Sequence, residues 1–304
     1  MNKNILITGA SGLIGTRLTE LLHAKGHHIA HLSRTAGSGK TRTFLWDIDK
    51  QKFDNESLQG VEAIVHLAGE SIGTKPWTKA RKHAILKSRT HSTWLLYEEL
   101  KKGNHNVKTF VSASAIGYYG VDEKDGLFEE DDKQGNGFLA EVVHQWEEFV
   151  DQISTLGIRV VKIRTGIVLS EKEGALKELK KPVKFFVGAQ LGKGTQYLSW
   201  IHIDDLCKIF IKAIEDETMH GVYNAVAPDP VTNKEFTHRL AKLLNRPIIL
   251  PPIPSFILKF LLGEMAGLVL TGVKVSSQKI QATGFKFEFD NLDDALRDLL
   301  TTEA

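Results

Sequence analysis

The sequence predicts an α/β fold, a doubly wound parallel sheet followed by a smaller C-terminal lobe. Three observations predict it. Short apolar runs rich in β-branched residues alternate with segments of helical apolar spacing through about residue 165. The first run is followed at once by closely spaced glycines and a helical pattern. After about residue 169, glycine, proline and lysine interrupt shorter segments, which indicates a change of architecture.

The first strand, turn and helix form the best-defined unit. Asn4–Thr8 has the composition of a buried parallel strand, and Gly9, Gly12 and Gly15 follow it. The next segment places its apolar side chains on one helical face: Leu13, Ile14, Leu18, Leu21 and Leu22. A dinucleotide-binding fingerprint needs this context: the first glycine permits a tight turn, the second lets the backbone approach a pyrophosphate, and the third lets helix and strand pack closely. The free N–H groups of the helix N-terminus would then face the phosphates.

The second strand, His28–Ser33, indicates which dinucleotide is bound. NAD-selective sites carry an acidic residue about 20 positions after the glycines, where it accepts the ribose 2′-hydroxyl. Here the strand runs into Arg34 and Thr35, and no acid is present. Arg34 would pair with a 2′-phosphate and Ser33 would donate a hydrogen bond to it, so the sequence favours NADP(H) over NAD. The alternative is that Arg34 lies on a solvated loop.

The later strands and helices alternate as a doubly wound sheet requires. We predict strands at residues 41–46, 63–67, 107–113 and 158–163, and helices at 78–102 and 137–155. Ligands of such sheets bind beyond the carboxyl ends of the strands. Trp46 and Asp47 end the third strand, where they would either flank an adenine or form a turn stabilised by Asp47. Small residues, Ala68 and Gly69, would let a cofactor lie across the fourth.

The chain is therefore divided into two parts. Residues 1–169 are predicted to form a Rossmann-type NAD(P)-binding domain, whose sheet also receives the 200–226 segment. Residues 170–304 are predicted to form an interrupted substrate lobe with a C-terminal extension. Within it, residues 247–254 are proline-rich and extended, and residues 255–300 have helical apolar spacing. We expect this lobe to cover the strand ends and to shape a substrate pocket.

Composition excludes several classes of protein. The 304 residues carry a net charge of +2, so bulk electrostatics imply neither a nucleic-acid nor a membrane partner. The one cysteine, Cys207, excludes an intrachain disulfide and fits a reducing compartment. The first strand begins close to Met1, and the most apolar stretch, residues 253–270, is interrupted by Lys259 and Glu264. We therefore expect a cytoplasmic protein.

Several motifs, in this order along the chain, resemble one superfamily. They are Thr8-Gly9-Ala10-Ser11-Gly12-Leu13-Ile14-Gly15, His66-Leu67-Ala68-Gly69, Ser112-Ala113-Ser114-Ala115 with Tyr118-Tyr119-Gly120, Arg164-Thr165-Gly166-Ile167-Val168-Leu169, and Trp200-Ile201-His202-Ile203-Asp204-Asp205. The chain resembles an extended or atypical short-chain dehydrogenase/reductase of the sugar-nucleotide-epimerase-like kind. A second set of motifs is similar to a narrower epimerase family of unassigned substrate with a distinctive C-terminal extension: Gly69-Glu70-Ser71-Ile72, Lys87-Ser88-Arg89, Phe138-Leu139-Ala140-Glu141 with Trp146-Glu147, and Gly263-Glu264-Met265 to Gly284-Phe285.

The resemblance implies NADP(H) as cofactor and a small-molecule substrate, such as a nucleotide-sugar or another carbonyl or hydroxyl compound. A homodimer is one assembly compatible with it. The positions expected to contact the cofactor are Gly9, Ser11, Gly12, Leu13, Ile14, Gly15, Ser33, Arg34, Trp46, Asp47, Leu67, Ala68, Gly69, Arg89, Ser112, Ala113 and Arg164.

The departure from the superfamily lies in its catalytic pair, a Tyr and a Lys four residues later. These positions fall on Phe138 and Val142, which can neither move a proton nor carry charge. The candidates for proton transfer in their place are Ser114, Tyr118, Tyr119 and Glu141, with Glu70 and His202 as further alternatives. For the two tyrosines a place in the pocket wall is the competing interpretation, and for His202 a place in the core. Surface positions, rather than a metal site, are expected for the histidines near the first helix: His23, His27, His28 and His31.

Three hypotheses follow. The first is an NADP(H)-dependent oxidoreductase or epimerase that handles its proton with a non-standard residue. The second, favoured by the loss of the Tyr and Lys, is a protein that binds NADP(H) without turnover, as a redox sensor or assembly partner. A weaker third hypothesis gives the apolar residues 256–270 an interaction role.

Overall fold

The computed structural model describes residues 2–37, 39–121 and 126–301. Its strands, in chain order, are β1 Asn4–Thr8, β2 His28–Ser33, β3 Arg42–Asp47, β4 Lys52–Phe53, β5 Ala63–His66, β6 Thr109–Ala115, β7 Arg159–Thr165, β8 Ile167–Leu169, β9 Tyr197–Leu198, β10 Trp200–His202, β11 Gly221–Ala225 and β12 Val231–Thr232. Its α-helices are α1 Leu13–Ala24, α2 Lys79–Lys101, α3 Phe138–Ser154, α4 Ala175–Lys184, α5 Ile203–Glu215, α6 Asn233–Leu243, α7 Ser255–Leu262, α8 Gly267–Leu270, α9 Gln278–Ala282 and α10 Leu292–Thr301. Short 3₁₀ turns lie at Asn55–Leu58, Ile116–Tyr119 and Gly263–Ala266.

One eight-stranded sheet organises the molecule, in the order β11-β7-β6-β5-β1-β2-β3-β4. Every neighbouring pair is parallel except β3 and β4 at one edge, which are antiparallel. The chain order reverses at β1, which lies between β2 on one side and β5 on the other. In open α/β sheets, ligands bind beyond the carboxyl ends of the strands at this reversal.

Helices cover both faces of the sheet. On one face, α1, α5, α6 and α10 bury apolar residues such as Leu18, Phe210 and Leu296 in a single core with β1 and β7. On the other face, α2 and α3 bury Leu96 and Val150 against β5 and β6. The predicted fold class, a doubly wound parallel sheet of the Rossmann type, is confirmed. The predicted strands lie within two residues of those observed at each end.

The segment after β7 differs in detail from the prediction. Of the 200–226 segment, only β11 joins the large sheet, next to β7. Trp200–His202 pairs instead with β8, and β9 pairs with β12, so that each forms a separate two-stranded sheet. This corrects the expectation that the whole segment enters the central sheet. Gly166 lies between β7 and β8. A side chain does not fit there, because a Cβ would lie 2.5 Å from the Ser199 carbonyl oxygen.

The C-terminal extension is a set of short helices rather than one long one. Helices α7 to α9 follow an extended, proline-containing segment. Helix α10 then packs into the core that contains α1 and α5. The buried Asp205 carboxylate in the first turn of α5 accepts hydrogen bonds from the backbone N–H groups of Glu288 and Phe289, at 3.0 and 2.9 Å. No helix in the described ranges is long and apolar enough to cross a membrane.

Candidate functional site

The glycine turn after β1 is built as its spacing predicts. Gly9 has φ +68°, and a Cβ there would lie 2.7 Å from the Leu67 carbonyl, so the turn rests directly on the end of β5. A Cβ on Gly15 would lie 2.5 Å from the Ala10 Cα, which brings α1 close against the turn. Gly12 differs, since the one neighbour within 4 Å of its Cβ position is the Gly9 carbonyl oxygen at 3.4 Å. The chain is therefore tightly packed at Gly9 and Gly15 and open at Gly12.

The N-terminus of α1 opens onto this space. Gly12 is its N-cap residue, no described side chain caps it, and its first turn contains no acidic residue. Ser11 and Gly12 are exposed, while Leu13 and Ile14 are half-buried and pack against the core. Unpaired N–H groups and the positive end of a helix dipole attract phosphate groups. The arrangement fits the pyrophosphate of a dinucleotide.

A chain of charges lies at the rim of the same space. The Arg34 guanidinium, whose side chain is 72% exposed, contacts Glu70 Oε1 at 3.3 Å. The other carboxylate oxygen of Glu70 accepts a hydrogen bond from the half-buried Arg81 at 2.8 Å. The hydrogen bond from Arg81 holds the pKa of Glu70 below its usual range, although burial opposes this. Glu70 is thus a fixed anion, which corrects the expectation that burial would raise its pKa and make it a proton shuttle.

The loop after β5 is fixed by hydrogen bonds to β1 and α2. Thr8 Oγ1 accepts hydrogen bonds from the backbone N–H groups of Leu67 and Ala68, each at 3.2 Å. The Arg89 guanidinium donates to the Glu70 carbonyl oxygen at 3.1 Å, and a Cβ on Gly69 would lie 3.2 Å from its Cζ. Burial lowers the pKa of Arg89 to about 10, so that it stays charged near neutral pH. Arg89 of α2 therefore stabilises the loop through its contacts with Gly69 and Glu70.

Three residues that were predicted to contact the cofactor contact other parts of the protein. Trp46 is 4% exposed and packs edge-on against His66, so its indole belongs to the core. The Asp47 carboxylate accepts hydrogen bonds from the backbone N–H groups of Asp49 and Lys50, at 3.1 and 3.0 Å. This is the turn that the sequence offered as the alternative to adenine contact. Ser33 Oγ accepts a hydrogen bond from the Thr35 N–H at 3.3 Å and remains half-buried at the end of β2.

The ends of β6 and β7 carry a buried polar network. Arg164 forms two hydrogen bonds with the Glu147 carboxylate, both at 2.9 Å, and a third at 3.1 Å with the Tyr119 hydroxyl. Ser114 Oγ donates to Glu147 at 2.5 Å, and the Tyr119 hydroxyl donates to Asn224 at 2.7 Å. Burial opposes ionisation of Glu147, but the hydrogen bonds from Arg164 outweigh it and lower the pKa of that carboxyl.

This network engages three of the predicted site residues. Tyr119 is fully buried, and burial raises its pKa to about 12, so it does not act as a base near neutral pH. Arg164 donates hydrogen bonds to Glu147, Tyr119 and the Glu130 carbonyl oxygen, and these contacts stabilise the fold. Ser114 is likewise buried and turned toward Glu147. Of the neighbouring positions, Ser112 is buried and Ala113 is half-buried.

The other proton-transfer candidates lie in different surroundings. Tyr118 is half-buried, and the Arg164 Cζ lies 3.4 Å from the centroid of its ring. Glu141 is exposed in the first turn of α3. His202 is buried against Phe289 with ring centroids 3.9 Å apart, and its Nδ1 accepts the Asp204 N–H at the start of α5. Burial lowers the pKa of His202, which suits a core position.

The place of the missing Tyr and Lys is occupied by a cluster that the sequence motifs did not reveal. Val142 is 3% exposed and belongs to the buried face of α3. The Phe138 ring packs edge-on against Trp77 at 5.0 Å, and Lys82 Nζ lies 5.2 Å from the centroid of the same ring. Lys82 also forms an ion pair with Glu264 of the C-terminal extension. The motif of the C-terminal extension, which contains Glu264, was visible in the sequence. Its contact with Lys82 of α2 could not be predicted, because the two residues are far apart in the chain.

Comparison with known proteins agrees with this geometry. The model of the NAD dependent epimerase/dehydratase family matches residues 5–225, and a domain of unknown function, DUF1731, matches residues 253–299. An epimerase family protein of Staphylococcus saprophyticus is 38% identical over 301 residues, covering 98% of this chain and 99% of the relative.

Two solved structures are similar over almost the whole chain. The human epimerase family protein SDR39U1, determined with NADPH, is 32% identical with a TM-score of 0.87, covering 98% of this chain and 99% of that one. A nucleoside-diphosphate sugar epimerase from Corynebacterium glutamicum is 33% identical with a TM-score of 0.81, covering 99% of this chain and 58% of the other. With the glycine turn, the sheet reversal and these matches together, the chain belongs to the NAD dependent epimerase/dehydratase family, with a DUF1731 domain at its C-terminus.

Proposed function

We propose that the protein is an NADP(H)-dependent oxidoreductase or epimerase that acts on a small carbonyl or hydroxyl compound, with nucleotide sugars among the candidate substrates. The observation that carries the choice of NADP(H) is Arg34, an exposed cation directly after β2 with no acidic residue in that strand end. The NADPH bound by the human relative supports the same choice.

The chain's own residues would hold the cofactor at the carboxyl edge of the sheet. The turn from Gly9 to Gly15 and the N-terminus of α1 would bind the pyrophosphate, and Arg34 would bind the 2′-phosphate. When bound, NADP(H) supplies or accepts a hydride at a substrate carbon.

The proton would be handled by Lys82 in place of the missing tyrosine. Its ammonium group lies over the Phe138 ring and against the Glu264 carboxylate, two contacts that fix its position. An ammonium in this position would donate a hydrogen bond to a substrate oxygen and would supply the proton that this oxygen takes up. Glu264 would hold it in place, which gives the C-terminal extension a part in the site.

Cofactor choice is tested by calorimetric titration with NADPH and NADH. A charge-assisted contact with a phosphate contributes about 1.5–3 kcal/mol, so we expect the wild type to prefer NADPH by roughly tenfold or more. Arg34→Ala should remove that preference while leaving NADH binding unchanged. Equal affinities of the wild type for the two cofactors, or an undiminished preference in Arg34→Ala, would contradict the proposal.

Turnover is tested with a panel of carbonyl compounds and nucleotide sugars, following NADPH absorbance. For any compound that reacts, Lys82→Met should lower kcat by about 100-fold, as expected for loss of a general acid. Lys82→Arg should not restore it, because a guanidinium does not release its proton in this range. Lys87→Met is the matched control, since Lys87 lies on the same helix and pairs with the exposed Asp49.

The rival function is NADP(H) binding without turnover. Phe138 and Val142 favour it, because both side chains are apolar and packed where the superfamily carries its acid–base pair. A wild type that binds NADPH but turns over no compound of the panel would favour this second function.

A further inference from the structure

An ion pair crosses the carboxyl edge of the sheet, where the proposed cofactor would lie. Arg34 follows β2 and Glu70 follows β5, while β1 lies between these two strands in the sheet. The contact between Arg34 and Glu70 therefore spans the carboxyl end of β1, where the glycine turn begins. No side chain of β1 itself takes part in it.

The two partners are held very differently. The backbone N–H of Glu70 donates to Ser88 Oγ at 2.9 Å, its carbonyl oxygen accepts from Arg89 at 3.1 Å, and its carboxylate accepts from Arg81 at 2.8 Å. All three partners belong to α2. Arg34 is tied by the single contact at 3.3 Å and is largely exposed. Glu70 is a fixed anion, whereas Arg34 is a cation that can exchange its partner at small cost.

We propose that Glu70 is a specificity-determining residue, which competes with the cofactor's 2′-phosphate for Arg34 and so limits the preference for NADPH over NADH. This inference rests on the proposed function. Without cofactor, Glu70 neutralises Arg34. On binding, the phosphate displaces the carboxylate, and Arg34 exchanges one anion for the other while Arg81 keeps Glu70 at the rim.

The two cofactors differ in the contacts that their binding must break. Binding of NADPH must break the contact between Arg34 and Glu70 and must bring a phosphate of about two negative charges toward a fixed carboxylate. Binding of NADH requires neither. Removing the charge of Glu70 should therefore strengthen NADPH binding selectively, and the gain should shrink as salt screens the exposed charges.

The test compares wild type, Glu70→Gln and Glu70→Ala by calorimetric titration with NADPH and with NADH. Both variants keep the backbone hydrogen bonds of residue 70. We expect either change to tighten NADPH binding about fivefold and to change NADH binding less than about twofold, the range of an exposed ion pair. In an Arg34→Ala background the gain should shrink, because only the repulsion between the Glu70 carboxylate and the phosphate then remains. Thermal unfolding checks that each variant is folded.

Glu56→Gln is the matched control. Glu56 forms an exposed ion pair with Arg42 at 3.0 Å, but Arg42 begins β3 and so lies at the opposite, amino edge of the sheet. This variant should leave both affinities unchanged.

Three results would overturn the inference: a weaker NADPH affinity in Glu70→Gln and Glu70→Ala, equal changes for NADPH and NADH, or a gain that is as large without Arg34 as with it. The same titrations distinguish a failure of this inference from a failure of the proposed function. If the wild type does not prefer NADPH, the choice of cofactor is wrong. If it does, and neither Glu70 variant alters the ratio, the role of Glu70 alone is wrong.

Discussion

At the scale of single residues, His66 shows how the end of β5 is fixed next to the glycine turn. The ring is fully buried, with Nδ1 2.8 Å from Thr8 Oγ1 and Nε2 3.1 Å from Thr93 Oγ1. Burial lowers the pKa of His66 to about 3, and the charge of Arg89 acts in the same direction. The imidazole is therefore neutral in the folded protein, and it connects the Thr8 hydroxyl, which orients Leu67 and Ala68, to α2.

A pH dependence follows from this histidine. Its folded pKa of about 3 lies below the unfolded value of about 6.5, so the unfolded chain binds more protons between these limits. The His66 contribution therefore destabilises the fold progressively as the pH falls from 6.5 toward 3, by about 2 kcal/mol at pH 5. We expect His66→Gln to flatten the loss of unfolding free energy between pH 7 and about pH 5 by that amount, as measured by urea denaturation.

The control for this measurement is His220→Gln, because His220 is an exposed histidine. It should leave the slope unchanged. A wild-type slope retained by His66→Gln would show that His66 titrates in the folded protein near its ordinary value, and would contradict its burial as a neutral ring.

At the scale of elements, we expect substitutions at two glycines near the start of α1 to have different effects, Gly12 on cofactor binding and Gly15 on stability. A side chain on Gly12 would enter the open space before the helix, whereas one on Gly15 would enter the backbone at Ala10. We expect Gly12→Val to abolish NADPH binding with a loss of stability of no more than about 1 kcal/mol. Gly15→Ala, although smaller, should destabilise the fold by about 1–3 kcal/mol through overpacking.

Titration with NADPH and urea denaturation, applied to both variants, distinguish these outcomes. Native-like binding by Gly12→Val would mean that the phosphates lie elsewhere. A Gly15→Ala variant as stable as the wild type would mean that α1 can shift away from the turn.

The elements that the sequence could predict are those whose signals are local. β1, the glycine turn and α1 carry periodicity and glycine spacing within a few residues of one another. β8, β9, β10 and β12 contain only two or three residues, too few for a period, and each pairs with a strand distant in sequence. The fold class could therefore be predicted, whereas the two small sheets could not.

The site divides in the same way. Gly9, Gly12 and Arg34 could be proposed from the sequence because the roles proposed for them depend on their positions within β1, the glycine turn, α1 and β2. Arg164 and Tyr119 could not be assigned, because their partners Glu147 and Asn224 are supplied by other elements. The ion pair between Lys82 and Glu264 joins α2 to the extension across most of the chain. Only tertiary structure brings such residues together.

At the scale of the whole molecule, the later part of the C-terminal extension, from α9 to α10, belongs to the main core. The apolar face of α10, with Leu292, Leu296 and Leu299, is buried in the same cluster as α1, α5 and β1. Asp205 anchors the segment before it through two hydrogen bonds to backbone N–H groups. Since a shared core couples its parts, we expect the sheet and α10 to unfold in a single cooperative transition.

Native-state hydrogen exchange of the full chain tests this coupling. In the wild type, the slowest amides of α10 should exchange with the same opening free energy as those of β1, within about 1 kcal/mol. Asp205→Ala removes the carboxylate that accepts hydrogen bonds from two backbone N–H groups, and it should lower both opening free energies by about 3 kcal/mol. Asp290→Ala, an exposed acid in the same segment, should change neither. If Asp205→Ala accelerates exchange in α10 while β1 keeps its protection, then α10 opens independently and the core is divided at α5. If both fall together, α10 is as stable as the sheet, and the last helix of the extension unfolds only when the whole core does.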